Sequence, residues 1–309
     1  MMKMKYLKLY ENFIQSDSEI HKLCKEYGIT NYTINNGLVD VDGNVYLSGK
    51  KLTKLPIKFG IVSGDFYCYN NQLTTLIGAP LKVGGDFHSQ KNQLTSLEGC
   101  PKEVLGNYFS CAYNKLTTLK GAPQEIFGEF YCNNNELTTL EGCPKEFGDD
   151  FYCFNNQLAS LKGAPQKVSG NFDCANNQLN TLEGCPKGVG GSFDCSGNQL
   201  TSLIGAPLEV GGNFKCEYNN IYKLDFVPNY KDRFIIGENP FYKIWELIEN
   251  SIEMDHSLFN HFIENNIFRD PGYQSDNSGL PIIILDRLND FLDMCNLPNV
   301  EEIEGYTCI

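Results

Sequence analysis

The 309-residue chain carries a net charge of −13, and the acidity sits at one end: 20 basic and 22 acidic side chains up to residue 224, then 5 and 16 from residue 225 on. An acidic chain is repelled by phosphate, which argues against a nucleic-acid or anionic-membrane surface. No stretch of ~18 apolar residues exists to span a membrane, and Met1–Phe13 alternates lysine with apolar residues rather than forming a leader's apolar run. The 13 cysteines, an odd number, are then read as reduced thiols of a cytoplasmic protein.

Tyr6, Leu9, Tyr10 and Phe13 suggest a short first helix. Ser16-Asp17-Ser18-Glu19 reads as a capping box, in which the serine oxygen takes the Glu19 amide and Glu19 reaches back. Ile20, Leu23, Cys24 and Tyr27 then form one apolar helical face, and Gly28 is placed to stop it. Tyr32–Ile34 and Leu38–Val41 look like strands, with Asp42-Gly43 as a turn signal. This segment, residues 1–43, is expected to be an α/β cap over the first repeat, because an uncapped array exposes its core.

From residue 44 to 227 one motif recurs, F-x-C-x-x-N-x-L-x-x-L, first complete at Phe66-Tyr67-Cys68-Tyr69-Asn70-Asn71-Gln72-Leu73-Thr74-Thr75-Leu76. Its ruler leucine falls at Leu73, Leu94, Leu116, Leu137, Leu158, Leu179 and Leu200, with Ile221 as a degenerate copy; the spacing is 21, with one 22 before Phe109. Val45, Leu47 and Leu52 form an earlier, degenerate copy. A period of 21 is too short for paired-helix repeats and fits one strand plus a tight return. Phe and Cys alternate with variable residues, so both point to one face of a strand. The asparagine two before each ruler leucine, Asn71 through Asn219, is expected to be buried and bonded to backbone at the bend. The Gly-Ala/Cys-Pro turns leave no room for a return helix, so the other side is expected to be extended, irregular or polyproline-like.

These residues resemble the leucine-rich repeat signature, with Phe and Cys at its first two apolar positions, over about 180 of the 309 residues. The version F-x-C-x-x-N-x-L-T-S/T-L-x-G-A/C-P is similar to leucine-rich repeat proteins of tailed bacteriophages. The opening Met4-Lys5-Tyr6-Leu7-Lys8-Leu9-Tyr10-Glu11-Asn12-Phe13 and the Asn239-Pro240-Phe241-Tyr242-Lys243-Ile244-Trp245 segment are similar to that group too. The resemblance implies an α+β repeat solenoid of about nine repeats whose parallel sheet forms a concave protein-binding face. It implies no activity.

The residue before each turn glycine alternates in charge through Glu98, Lys120, Glu141, Lys162 and Glu183, with Ile77 and Ile204 at the ends. Stacked one strand spacing apart, ~4.8 Å, these avoid like-charge neighbours. After residue 227 the period is expected to break. Asn239-Pro240 reads as a helix N-cap and N1 pair before Phe241, Ile244, Trp245 and Ile248. Ser257 can cap a second helix, and Leu285, Leu288, Phe291 and Leu292 mark a third. Residues 228–309 are thus expected to be an acidic helical cap.

No catalytic or metal-ligating constellation emerges, and no cofactor is implied. The cysteine ladder lacks C-x2-C pairs. His256 and His261 are five apart where zinc on a helix wants four. Asp40-Val41-Asp42-Gly43-Asn44 has Lys51 where a calcium loop needs glutamate. An effector-type enzyme or toxin with chemistry in residues 228–309, around Cys295, and a virion or surface adhesin remain alternatives. The letters between the inward residues vary instead. Tyr67, Tyr69, Tyr108, Tyr131, Tyr152 and Phe154 supply aromatic area, with one cluster expected at Tyr67 and Tyr69 and another at Tyr131, Tyr152 and Phe154, and Asp150, Asp173 and Asp194 border it. Exposed aromatics of this kind fit a protein interface, and the acids favour a partner with a basic or mixed patch.

Overall fold

In the computed structural model the described residues are 15–221, apart from 124 and 145, then 226, 228–237, 239, 282–283, 285–294, 299–303 and 307–308. The capping box forms: Ser16 Oγ accepts the Glu19 N–H and Glu19 accepts from the Ser16 N–H, starting the helix Asp17–Tyr27. Gly28, in the left-handed region at φ 69°, ends it. Ile20 and Cys24 are buried in the common core. Strands Tyr32–Asn35 and Leu38–Val41 pair antiparallel, and the second continues in parallel with Phe59–Val62. The Asp40 and Asp42 carboxylates take the Ile61 N–H and the Ser63 hydroxyl, so they serve this junction.

The F-x-C segments build a ten-stranded parallel sheet from Val45–Tyr46 to Phe234–Ile235, each strand beside the next in sequence. Identical positions stand in register, as in Phe130 beside Phe109 and Phe151. Inside, Phe66 through Phe234 stack as one column with centroids 5.1–5.8 Å apart. Offset ring stacking adds to the area these side chains bury.

The asparagine ladder satisfies the bend. Asn92 Oδ1 accepts the Leu73 N–H of the preceding coil at 3.0 Å, and its Nδ2 donates to Ser89 O of its own coil at 3.1 Å and to Cys68 O of the preceding one at 3.0 Å. One amide therefore closes its own coil and ties it to its neighbour. The same bonds recur down to Asn239, whose Oδ1 accepts the Ile221 N–H and whose Nδ2 reaches Cys216 O and Ile236 O. Together with Phe234 and buried Ile236 this is a further rung, Phe-x-Ile-x-x-Asn. The ladder thus runs past residue 227, and Asn239 makes ladder bonds where a helix cap was expected.

The return side is extended but not irregular. Short strands such as Lys82–Val83, Glu103–Val104 and Glu125–Ile126 pair in parallel, in one run that ends at Glu146–Phe147 and a second from Lys167–Val168 to Asn229–Tyr230. Val83, Val104, Ile126, Val168, Val189 and Val210 are buried here. Only three residues separate Val83 from Phe87, so the two strands of a coil meet at a corner. The backbone groups of so tight a coil find their partners in the next coil, which produces a second sheet. In the third side of the coil, Gly99 sits at φ 88°, and a Cβ there would lie 2.7 Å from Leu76 and Ile77 backbone atoms of the coil before. Glycine is required by both conformation and contact.

The charged turn residues pair rather than form a continuous ladder: Lys120 bonds Glu141 at 3.0 Å and Lys162 bonds Glu183 at 3.3 Å, both exposed. Such pairs contribute only ~0–1 kcal/mol. Beyond the array, the helix Leu285–Met294 buries Leu288, Phe291 and Leu292, and Asn289 bonds both the N–H and the carbonyl of Val300. Strands Ile282–Ile283 and Thr307–Cys308 pair in parallel. The helices expected before Phe13, after Pro240 and after Ser257, with Cys295, His256 and His261, lie outside the described residues.

Candidate functional site

On each array strand the residues flanking the buried phenylalanine face outward. Six of them stack into one column: Tyr46, Tyr67, His88, Tyr108, Tyr131 and Tyr152, with successive centroids 5.2, 4.6, 4.6, 4.9 and 4.6 Å apart. Tyr69 meets Tyr67 and His88 edge-on, both at 6.4 Å, and Phe154 meets Tyr152 edge-on at 6.4 Å. The two clusters expected from the sequence are therefore one. His88 and Tyr108 join them. Tyr108 precedes Phe109 whereas the other rings follow theirs, yet Tyr108 and Ser110 are two apart on a strand and share its outer face. Ser110 is small and buried, and the Tyr108 ring takes its rung.

The acids around this column are largely engaged. Tyr67 donates to Asp65 at 2.9 Å, Tyr131 to Glu129 at 2.8 Å and Tyr152 to Asp150 at 2.6 Å, each carboxylate two residues earlier on the same strand. Burial, then these bonds, push the Tyr67 and Tyr152 hydroxyls up to about 12 and that of Tyr131 higher still. The hydroxyls stay neutral donors. Burial lowers the His88 pKa against the opposing pull of Asp86 and Asp65. The other oxygen of Asp65 accepts the Asp86 N–H, and Asn44, Asp86, Asp150, Asn171 and Ser192 each take the N–H at the same position one coil on. The column before Phe is thus a second side-chain ladder, interrupted at Tyr108 and Glu129. Its variation among Asp, Asn and Ser follows from a need for a short side chain with an oxygen.

The column after Cys, expected to face outward throughout, is partly inside. Ala112, Asn133 and Ala175 are buried, while Tyr69 is exposed and Phe154 half-buried. Ser48 Oγ, Gln90 Oε1, Asn133 Oδ1 and Ser196 Oγ are buried there and have no hydrogen-bond partner among the described residues.

Beyond Tyr152 the aromatic column gives way to Asp173, Asp194 and Lys215, in register on successive strands. Asp173 Oδ1 accepts the Ala175 N–H, and Asp194 Oδ1 accepts the Ser196 N–H. Lys215 reaches Asp194 at 3.6 Å. Asp173 has no ion pair among the described residues. Burial, with the Asp194 charge adding to it, raises its carboxyl to about 6.

The eleven described cysteines are all free. Those of the ladder are buried, and burial raises their thiols well above the ordinary range, so they are poor nucleophiles. Several thiols point at the next strand, as Cys132 does at Tyr152 O, 3.4 Å away. Ser89, the exception in the ladder, makes the same bond with its hydroxyl to Ser110 O at 2.9 Å. Among the described residues no group of three or more His, Cys, Asp and Glu side chains is placed to hold a metal ion, and no helix is long and apolar enough to cross a membrane.

Stacked parallel coils, an inward Phe/Leu core and an asparagine ladder define a parallel-strand solenoid, consistent with a leucine-rich repeat fold. No family model matches the sequence, and no curated protein does. Among solved structures the chain is similar to YopM from Yersinia enterocolitica WA-314, with a TM-score of 0.37 and 18% identity. The match takes in 63% of this chain and about half, 56%, of the YopM chain.

Proposed function

We propose that this chain is a non-catalytic protein-interaction module that binds its partner on the outward strand face. The observation that carries this reading is the unbroken column of six rings from Tyr46 to Tyr152, flanked by Tyr69 and Phe154. Rigid aromatic side chains give contact area at low entropic cost, and these are held in place before any partner arrives. Carboxylates line both the column and its far end, so the partner presents a basic or mixed patch. The free, buried thiols favour a reducing compartment. The resemblance to phage-encoded repeats makes the cytoplasm of a bacterial host, and a host protein within it, the setting in which to search.

The test is capture from bacterial lysate by the full chain and by a Tyr69→Ser, Phe154→Ser variant. These two rings touch the column by their edges, so their loss spares its stacking. A protein captured by the parent chain and lost with the variant, at unchanged thermal stability, supports the reading. Undiminished capture by the variant removes these residues from the interface.

A further inference from the structure

The faces of the stacked rings cover one another, so most of the column offers only ring edges. The end at Tyr152 differs. One face of that ring lies against Tyr131 at 4.6 Å, and the rung on its other side holds Asp173 in register. An aspartate is too short to cover a tyrosine ring, and among the described residues no ring stacks on that face. The slot has Asp173 at its base, Asp194 on the next strand, and Asp150 at the Tyr152 hydroxyl. Phe154 stands edge-on beside it. The nearby cation of this chain, Lys215, bonds Asp194, one rung further on. The slot thus combines an aromatic face with a half-buried carboxylate that makes no ion pair among the described residues and feels Lys215 only through space.

We propose that an arginine side chain of the protein partner fills this slot, its guanidinium stacking on Tyr152 as the next rung of the column and pairing with Asp173. The inference rests on the reading of this face as the interface and names the chemistry of one contact in it. A guanidinium is planar, stacks on aromatic faces and bonds carboxylates with two N–H groups at once; an ammonium does the last two only as a point charge. Charge complementarity points the same way. Asp173 and Asp194 stand in register on adjacent strands, and Lys215, on the far side of Asp194, bonds Asp194 alone among the described residues; a second cation at Asp173 relieves that repulsion.

The probe is the acetylated, amidated tripeptide Gly-Arg-Gly, titrated into the full chain with its tyrosine rings isotope-labelled for NMR. The control is the same peptide with citrulline, which keeps the shape and lacks the charge. The expected result is a saturable shift of the Tyr152 ring signal with the arginine peptide, at least tenfold weaker with citrulline, and lost in Asp173→Asn. Asparagine keeps the size of the side chain and leaves folding intact, which the unchanged signals of Tyr46 and Tyr67 would verify. Binding that tightens between pH 5 and pH 7, as Asp173 ionises, would further support it. Equal shifts with citrulline, an undiminished response in Asp173→Asn, or no saturable shift overturns the proposal. Partner capture that depends on Tyr69 and Phe154 would still stand in that event, so the two readings fail separately.

Discussion

At the scale of single residues, the ladder asparagines carry the largest individual effects. Asn135 Oδ1 accepts the Leu116 N–H, and its Nδ2 donates to the Cys111 and Cys132 carbonyls, all buried. Asn135→Ala leaves the buried Leu116 N–H without its acceptor, at a cost of ~1–3 kcal/mol, and takes one of two hydrogen bonds from each carbonyl, since Cys111 O keeps Asn114 Nδ2 and Cys132 O keeps Asn156 Nδ2. We expect a loss of about 2–3 kcal/mol in urea unfolding, against little change for an exposed neighbour such as Glu136→Ala. The residue before each ladder asparagine from Asn71 to Asn219 is left-handed, with φ of 52–56° at Asn70, Lys91, Tyr113, Asn134, Asn155, Asn176 and Tyr218 and 66° at Gly197. Asparagine adopts this region at lower cost than tyrosine. Tyr218 is exposed, so Tyr218→Asn should stabilise the fold by about 0.5–1 kcal/mol, a small rise in the urea midpoint. Asp173 makes stability depend on pH. Its folded pKa, about 6, lies above its unfolded value, so the folded state binds the proton more tightly and stability falls as pH rises between about 4 and about 6. Asp173→Asn removes that cost. It should leave stability at pH 4 nearly unchanged and raise it at pH 7, by at most about 3 kcal/mol; an equal effect at both pH values would show that the carboxylate is not strained.

At the scale of strands and turns, the inward columns were legible because each copy repeats the same residue type: Phe, Cys, Asn and Leu announce a coil. Elements built from mixed letters were not. The return strands are two residues long, so no alternation marks them, and their buried Val or Ile sits among Gly, Lys and Glu. The ladder before Phe is spelled Asn44, Asp65, Asp86, Asp150, Asn171 and Ser192, which share an oxygen rather than an identity. Read as surface, those acids look like binding groups; in the fold most of their oxygens are already used. The single-column aromatic stack was hidden because Tyr108 stands two positions before Ser110, which holds the column's own place on that strand. The last rung was hidden because Asn239 precedes a proline, the signature of a helix start. Ser89 tests the logic of a column within the element. Its hydroxyl makes the bond that the ladder thiols make, in a site that is otherwise apolar and fully buried. Ser89→Cys matches its neighbours and should stabilise by about 0.5–1 kcal/mol, since cysteine behaves as a small hydrophobe when buried. A destabilised variant would mean that the hydroxyl's shorter bond outweighs the apolar gain.

At the scale of the whole molecule, the two sheets, the phenylalanine stack and both side-chain ladders all run between adjacent coils. Stability is then a sum of nearest-neighbour terms, and damage should stay local. Gly142 gives the cleanest probe. It lies at φ 89°, and a Cβ there would come within 2.5 Å of the Lys120 backbone nitrogen and 2.7 Å of the Leu119 carbonyl carbon, so neither backbone nor neighbour can accommodate alanine. Gly142→Ala should therefore open the interface between the coils that hold Leu119 and Leu140. In native-state hydrogen exchange, amides of the strands Tyr108–Ser110, Glu129–Tyr131 and Phe151–Tyr152 should lose protection first. The strands Phe66–Tyr67 and Phe214–Lys215, two or more coils away on either side, should keep theirs. Uniform loss of protection would instead show that the array opens as one cooperative unit. The distinction bears on binding, because the weakened coils are those that carry Tyr131, Tyr152 and Phe154. If damage is local, Gly142→Ala should cost partner capture while Gly205→Ala, a milder lesion at the far end with φ 90° and a Cβ 3.1 Å from the Leu182 carbonyl carbon, does not.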